Sequence, residues 1–194
     1  MRERAGGVVQ TGIAIYRYSK TAWHHTSGNG AAGDPHRAGT DGDDLTTDQE
    51  AVIKMGTIAE KQAELIELYN GLDDPIMQYE FLLQLAGEVP VPEAAEKTEA
   101  AKIHNCQTDS WFIMTQADGR FSLSVDSDAL LIRGVLSIFV YLLDGRSLDE
   151  ILNTPIDFME KTTVREQLSI SRFSVLSKLP DTIYQFCKIQ KSHK

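Results

Sequence analysis

Apolar positions along the chain change their period more than once, and each change marks a kind of element. Ile53, Ile58, Leu65, Ile66 and Leu68 recur at helical spacing behind Thr47-Asp48-Gln49-Glu50. That tetrad is a capping-box sequence, in which a Thr hydroxyl and a Glu carboxylate satisfy backbone N–H groups reciprocally. Gly71 ends the helix. Asp74-Pro75 then supplies an N-cap and a proline at the first helical position, ahead of Tyr79, Leu82, Leu83 and Leu85, with Gly87 and Pro90 closing the second helix. Residues 90–102 are polar and rich in Ala and Glu, a loop or a short helix. The period next falls to two. Residues 101–105 read as a short strand, 106–109 as a loop and 111–116 as a strand. Asp118-Gly119 is a type I′ hairpin signal, after which Phe121, Leu123 and Val125 alternate with Ser122, Ser124 and Asp126.

Helical spacing then returns. Ser127 or Asp126 is placed to cap a long apolar helix that stops at Asp144-Gly145, and Ser147-Leu148-Asp149-Glu150 is a second capping box. A further helix is expected over 158–168 and a last one from near Ser171, kinked or divided by Pro180. Two helices, a small antiparallel sheet of about three strands with one face buried, and several more helices form a segregated order. The expected class is α+β. Residues 1–46 carry no sustained period and are rich in Gly, Ala, Asp and His, so they read as a disordered arm ahead of a folded domain over 47–194. His24, His25 and His36 in that arm read as solvated side chains, because nothing there fixes a ligand geometry. Met55 is an alternative start.

Charge and cysteine usage narrow the function. A net charge of -9 leaves no basic face for nucleic acid, and Lys188, Lys191 and Lys194 fit the last turn of a helix better than a phosphate track. The apolar run 129–143 contains Arg133 and Gly134 and is shorter than the ~20 residues a bilayer needs, so it reads as a buried helix. The 2 cysteines are too few and too far apart for a disulfide framework, and no Cys/His spacing matches a zinc site. A reducing cytoplasm is the expected compartment.

Cys106 is the candidate for chemistry, lying in Ile103-His104-Asn105-Cys106-Gln107-Thr108-Asp109-Ser110-Trp111, polar around the thiol and apolar just after it. A thiol at such a turn is presented rather than dissolved in a core. Lys102 and His104 would favour the thiolate and Asp109 would oppose it. Cys187 shares a stripe with Leu176, Ile183 and Tyr184 and reads as packed and inert. Asp126 and Asp128 read first as cap and dipole partners, with a binding role as the alternative. Arg172 in a first helical turn opposes the dipole and so calls for an anionic partner. Trp111 reads as a core anchor for its strand.

Three blocks in order, Cys106-Gln107-Thr108-x-x-Trp111, Asp126-Ser127-Asp128-Ala129 with Arg133-Gly134, and Leu168-Ser169-x-Ser171-Arg172, resemble the SufE family. The likeness runs from about Thr47 to the C-terminus. It implies the fold of that family, with the cysteine on the loop between the first two strands. It also implies the activity: sulfur accepted from the persulfide of a pyridoxal-phosphate cysteine desulfurase onto Cys106, stimulation of that desulfurase, and relay to an iron–sulfur scaffold. Gln107, Asp126, Asp128 and Arg172 are the implied supporting residues. The protein itself would need no metal or cofactor, and would be a relay and activator rather than a stand-alone enzyme. Asn105 stands where the family usually has Gly, Thr108 replaces Ser, and Ser110 replaces a more apolar residue. A non-catalytic interaction module and a thiol redox sensor are the alternatives.

Overall fold

A computed structural model describes residues 56–192. The arm over 1–46, the Thr47 capping box, Ile53, the paired histidines and Met55 lie outside the described residues. Helix α1 (Ile58–Asn70) starts behind a different capping box from the one at Thr47. The Thr57 hydroxyl accepts the Glu60 N–H at 3.2 Å, and the Glu60 carboxylate accepts the Thr57 N–H at 2.8 Å. Thr57 is extended, so Ile58 opens this helix and does not continue an earlier one. Gly71 caps its end. Helix α2 (Pro75–Glu88) begins as expected, with Asp74 accepting the Ile76 N–H at 2.8 Å and Pro75 in the first turn.

Residues 90–102 hold two short 3₁₀ turns, Ala94–Glu96 and Glu99–Ala101. The strand expected over 101–105 is reduced to one bridge, Lys102 against Trp111, because the second turn occupies its start. The sheet among the described residues therefore has two strands, β1 (Ser110–Ala117) and β2 (Arg120–Ser127), antiparallel with Trp111 opposite Asp126 and Phe112 opposite Val125. Asp118 and Gly119 have φ of 52° and 78°, the two positive values a type I′ turn needs. Helix α3 (Leu130–Leu143) follows. Its N-cap is Ala129, and the Ser127 hydroxyl accepts the Ala129 N–H at 3.2 Å, so Asp126 is not the cap.

Beyond α3 the chain packs short elements round it: α4 (Leu148–Asn153), α5 (Phe158–Lys161), a 3₁₀ turn (Thr163–Gln167), α6 (Ile170–Leu176) and α7 (Leu179–Ser192). The capping box at Ser147 is half present. Its hydroxyl accepts the Glu150 N–H at 3.1 Å, but the Glu150 carboxylate turns away to accept the Ile58 N–H at 2.9 Å, fastening α1 to α4. The single helix expected over 158–168 breaks at Thr162 into α5 and the 3₁₀ turn. The last helical region divides ahead of Pro180, whose ring and missing N–H suit the first turn of a new helix. The α+β class holds.

Helix α3 is buried along nearly its whole length, with α2 on one side and the hairpin on another. The inward residues of the hairpin, Phe112, Phe121, Leu123 and Val125, join it in the core. Phe139 meets Phe112 at 5.8 Å and Phe158 at 4.9 Å, edge to face, which links β1, α3 and α5. At the crossing with α2 the backbones nearly touch: a Cβ on Gly134 would lie 2.1 Å from the Leu82 carbonyl oxygen. Cys187 on α7 is completely buried in the same core, and that burial pushes its thiol from 9.0 up to about 11.

The packing generates two predictions. Gly134→Ala lowers the unfolding free energy by about 1–3 kcal/mol or more, read from urea midpoints, because backbone must move to admit the methyl. Gly87→Ala, whose Cβ meets nothing within 4 Å, shows no such loss. Alkaline stability carries the mark of Cys187. A thiol held protonated in the fold contributes stability that is complete below its ordinary value of 9.0 and lost as pH rises through about 11. The stability gap between the native chain and Cys187→Ala therefore narrows over that window. The contributions of Lys61, lowered to about 8 by burial, and Tyr141, raised to about 12 by burial, cancel in the difference.

Candidate functional site

The loop 103–109 carries Cys106 out of the segment that follows α2 and into β1. Its neck is closed by the Ile103 N–H donating to the Ser110 carbonyl at 2.8 Å and by the Lys102–Trp111 bridge. The Asp109 carbonyl accepts the Asp128 N–H at 3.0 Å, which ties the neck to the approach to α3. Asn105 has φ of 62°, the left-handed region that Asn tolerates and β-branched residues do not. This turn sets Cys106 half-buried, its sulfur 3.8 Å from the Thr108 hydroxyl, packed against the edge of the core. Gln107 is exposed beside it. Ser110, polar where an apolar residue was expected, is fully buried and shares a 2.8 Å hydrogen bond with Ser127 directly across the hairpin. The polar pair satisfies itself, so its burial costs little.

The charges around the loop are paired. Lys102 Nζ lies 2.8 Å from the Asp109 carboxylate, and that hydrogen bond raises the lysine pKa. His104 is exposed, with Nδ1 3.9 Å from the Glu99 carboxylate. Asp126, nearly buried, takes an ion pair from Lys97 and lies 3.6 Å from Arg133 Nε. Arg133 in turn donates to the Val89 carbonyl at 2.5 Å. Asp126 thus joins the hairpin to the end of α2, to α3 and to the segment leading into the thiol loop, and its role is this network rather than a helix cap. Asp128 is exposed.

Trp111 departs from expectation. Alternation sends Phe112 into the core and therefore turns Trp111 to the outer face, half-buried under two cations, Lys97 at 5.1 Å and Lys102 at 6.0 Å from the ring centre. Lys97 is the residue that sequence reasoning missed, while Arg133 enters it only as part of the block that resembles the SufE family. The strand register that puts Trp111 opposite Asp126 was available to find the acidic–aromatic face, but nothing local in sequence points to its cations. Arg172 in the first turn of α6 has a buried Nε without a hydrogen-bond partner, and no ion pair holds it among the described residues. Among the described residues no carboxylate supplies the anionic partner expected for it. Its neighbour Ile170 is 85% exposed. No helix among the described residues is long and apolar enough to cross a membrane.

The family model for the SufE Fe-S metabolism associated domain matches residues 63–187. An uncharacterised SufE-like protein of Synechocystis sp., slr1419, is 27% identical over 121 residues, covering 62% of this chain and 76% of that one. The solution structure of a hypothetical protein from Thermus thermophilus superposes with a TM-score of 0.57 at 20% identity, covering 68% of this chain and 96% of that one, and so shares the fold. The chain belongs to the SufE family, whose domain is associated with iron–sulfur metabolism.

The turn generates its own test. Asn105→Gly leaves stability unchanged or slightly higher, whereas Asn105→Val costs about 1–2 kcal/mol, because a branched Cβ clashes in the left-handed region. Equilibrium denaturation of the two variants measures the difference.

Proposed function

We propose that this protein is a sulfur acceptor: Cys106 takes sulfur from the persulfide of a pyridoxal-phosphate cysteine desulfurase, speeds that enzyme by removing its product, and passes the sulfur to an iron–sulfur scaffold. The observation that carries the reading is the placement of Cys106, a half-buried thiol on a polar turn with a positive-φ residue before it, inside the segment matched by the family. Transfer is thiol exchange. The Cys106 thiolate attacks the outer sulfur of the donor persulfide, the sulfur–sulfur bond breaks, and the donor cysteine leaves as a thiolate. Cys106 then holds the sulfur as its own persulfide, with no external oxidant and no resident cofactor.

Several features support the assignment. A persulfide is quickly lost to reductants or to further oxidation, and half-burial against the core shields it between partners. Cys187 sits too deep, and its thiol is too weakly acidic, to compete. Exposed Gln107 within the thiol loop and exposed Asp128 beside it are the contacts for the donor, with Asp126 holding the hairpin beneath them. Arg172, unpaired within the described chain, sits beside exposed Ile170 and is the supporting cation for an acidic group of the desulfurase. Both described cysteines are free thiols, in keeping with a cytoplasmic setting.

Incubation with a cysteine desulfurase and cysteine, followed by mass spectrometry of the unreduced protein, tests the reading. The Cys106 peptide gains one sulfur atom, about 32 Da, by exchange. The gain is absent in Cys106→Ser and retained in Cys187→Ala. No gain under full desulfurase turnover removes the proposal, and modification of Cys106 by peroxide alone would make it a redox sensor.

A further inference from the structure

The thiol loop is held by little backbone. Where a third strand would have run beside β1, the chain makes a single bridge at Lys102 and one N–H bond at Ile103, and then leaves for the loop. Across this narrow neck stand two opposite charges, Lys102 on the incoming side and Asp109 on the outgoing side, 2.8 Å apart. The loop between them has no regular structure and turns through Asn105 in the left-handed region. Asp109 is doubly engaged, since its carbonyl also receives the Asp128 N–H. Lys102 lies within reach of the Trp111 ring, and the other acids acting on it are Glu99 and Asp128, with His104 turned toward Glu99.

We propose that Lys102 and Asp109 are positioning residues for Cys106: their ion pair latches the neck of the loop and sets how often the thiol swings from its half-buried seat toward a docked donor. This rests on the sulfur-acceptor reading and deepens it by naming what governs presentation of the same thiol. A short polar loop between a bridge and a strand opens locally at low cost, so a modest interaction at its neck is enough to set the open fraction. An exposed ion pair is a modest interaction, weakened by salt. It suits a loop that has to close over its cargo and still release it when a partner brings charge of its own to the neck.

Acting instead as bare charges that tune the thiol, the same two residues would give opposite effects at the two positions, whereas a latch gives the same effect at both. As a charge, Lys102 favours the thiolate and Asp109 disfavours it, so neutralising them would move reactivity in opposite directions through the apparent pKa. As a latch, losing either partner frees the neck.

The experiment is alkylation of Cys106 by iodoacetamide, followed at the peptide level across pH in the full chain. It yields both the apparent pKa and the limiting rate of the fully ionised thiolate. The limiting rate rises about two- to fivefold in Asp109→Asn and also in Lys102→Gln, the scale expected of a surface ion pair. It returns toward the native value when Lys102→Asp and Asp109→Lys are combined. High salt accelerates the native chain and leaves the single variants unaffected. Limiting rates that stay fixed, or that move in opposite directions in the two single variants, overturn the latch. Thermal denaturation of each variant confirms that the domain is folded during labelling. Because alkylation needs no desulfurase, the two proposals fail separately. Unchanged labelling with intact sulfur acceptance removes only the latch, and altered labelling in a protein that never takes sulfur removes only the acceptor role.

Discussion

The close crossing of α3 on α2 is the constraint from which the site follows. With a hydrogen in place of a side chain, Gly134 lets α3 lie against the Leu82 backbone, closer than any other residue allows. The residue next to it, Arg133, is thereby brought to the end of α2, where its guanidinium reaches the Val89 carbonyl and Asp126. Asp126 gathers Lys97 as well, so the connection from α2 to the thiol loop is fixed at its start and along its course. A packing contact deep in the core thus determines where an exposed loop begins. The site inherits its geometry from apolar burial and its fine adjustment from a few charges at the rim.

The two cysteines show how strongly surroundings decide what one functional group can do. Cys187 is enclosed by apolar side chains on α7, and the loss of hydration holds its thiol protonated. Cys106 has a hydroxyl near its sulfur, exposed polar residues on either side, and a turn that offsets it from the strand. The first is a small piece of packing; the second is the only described thiol that is partly open to solvent.

What could be read from sequence follows the range of the forces involved. Capping boxes, the Asp118-Gly119 turn and the alternation of Phe121, Leu123 and Val125 are local signals, and they located α2, the hairpin, the start of α4 and the break before Pro180 correctly. The thiol turn was legible for the same reason, since an Asn before the cysteine marks a left-handed residue. Reading failed where a distant partner decided the outcome. Glu150 had the spacing of a capping box, yet it serves the Ile58 N–H, far away in sequence. The expected third strand had the composition to extend, but a 3₁₀ turn ahead of it left room for a single bridge. Trp111 reads as a core anchor, yet the pattern of its own strand, with Phe112 inward, turns it out.

That outward indole has a use of its own. It lies on the bridge at the loop neck, half-covered by the ammonium groups of Lys97 and Lys102, and it is the one tryptophan among the described residues. Ring emission responds to nearby charge and to water, both of which change if either lysine leaves. With Trp23 replaced by Phe, Trp111 becomes the chain's one indole, so its emission would report any opening of the proposed latch in real time without an attached dye.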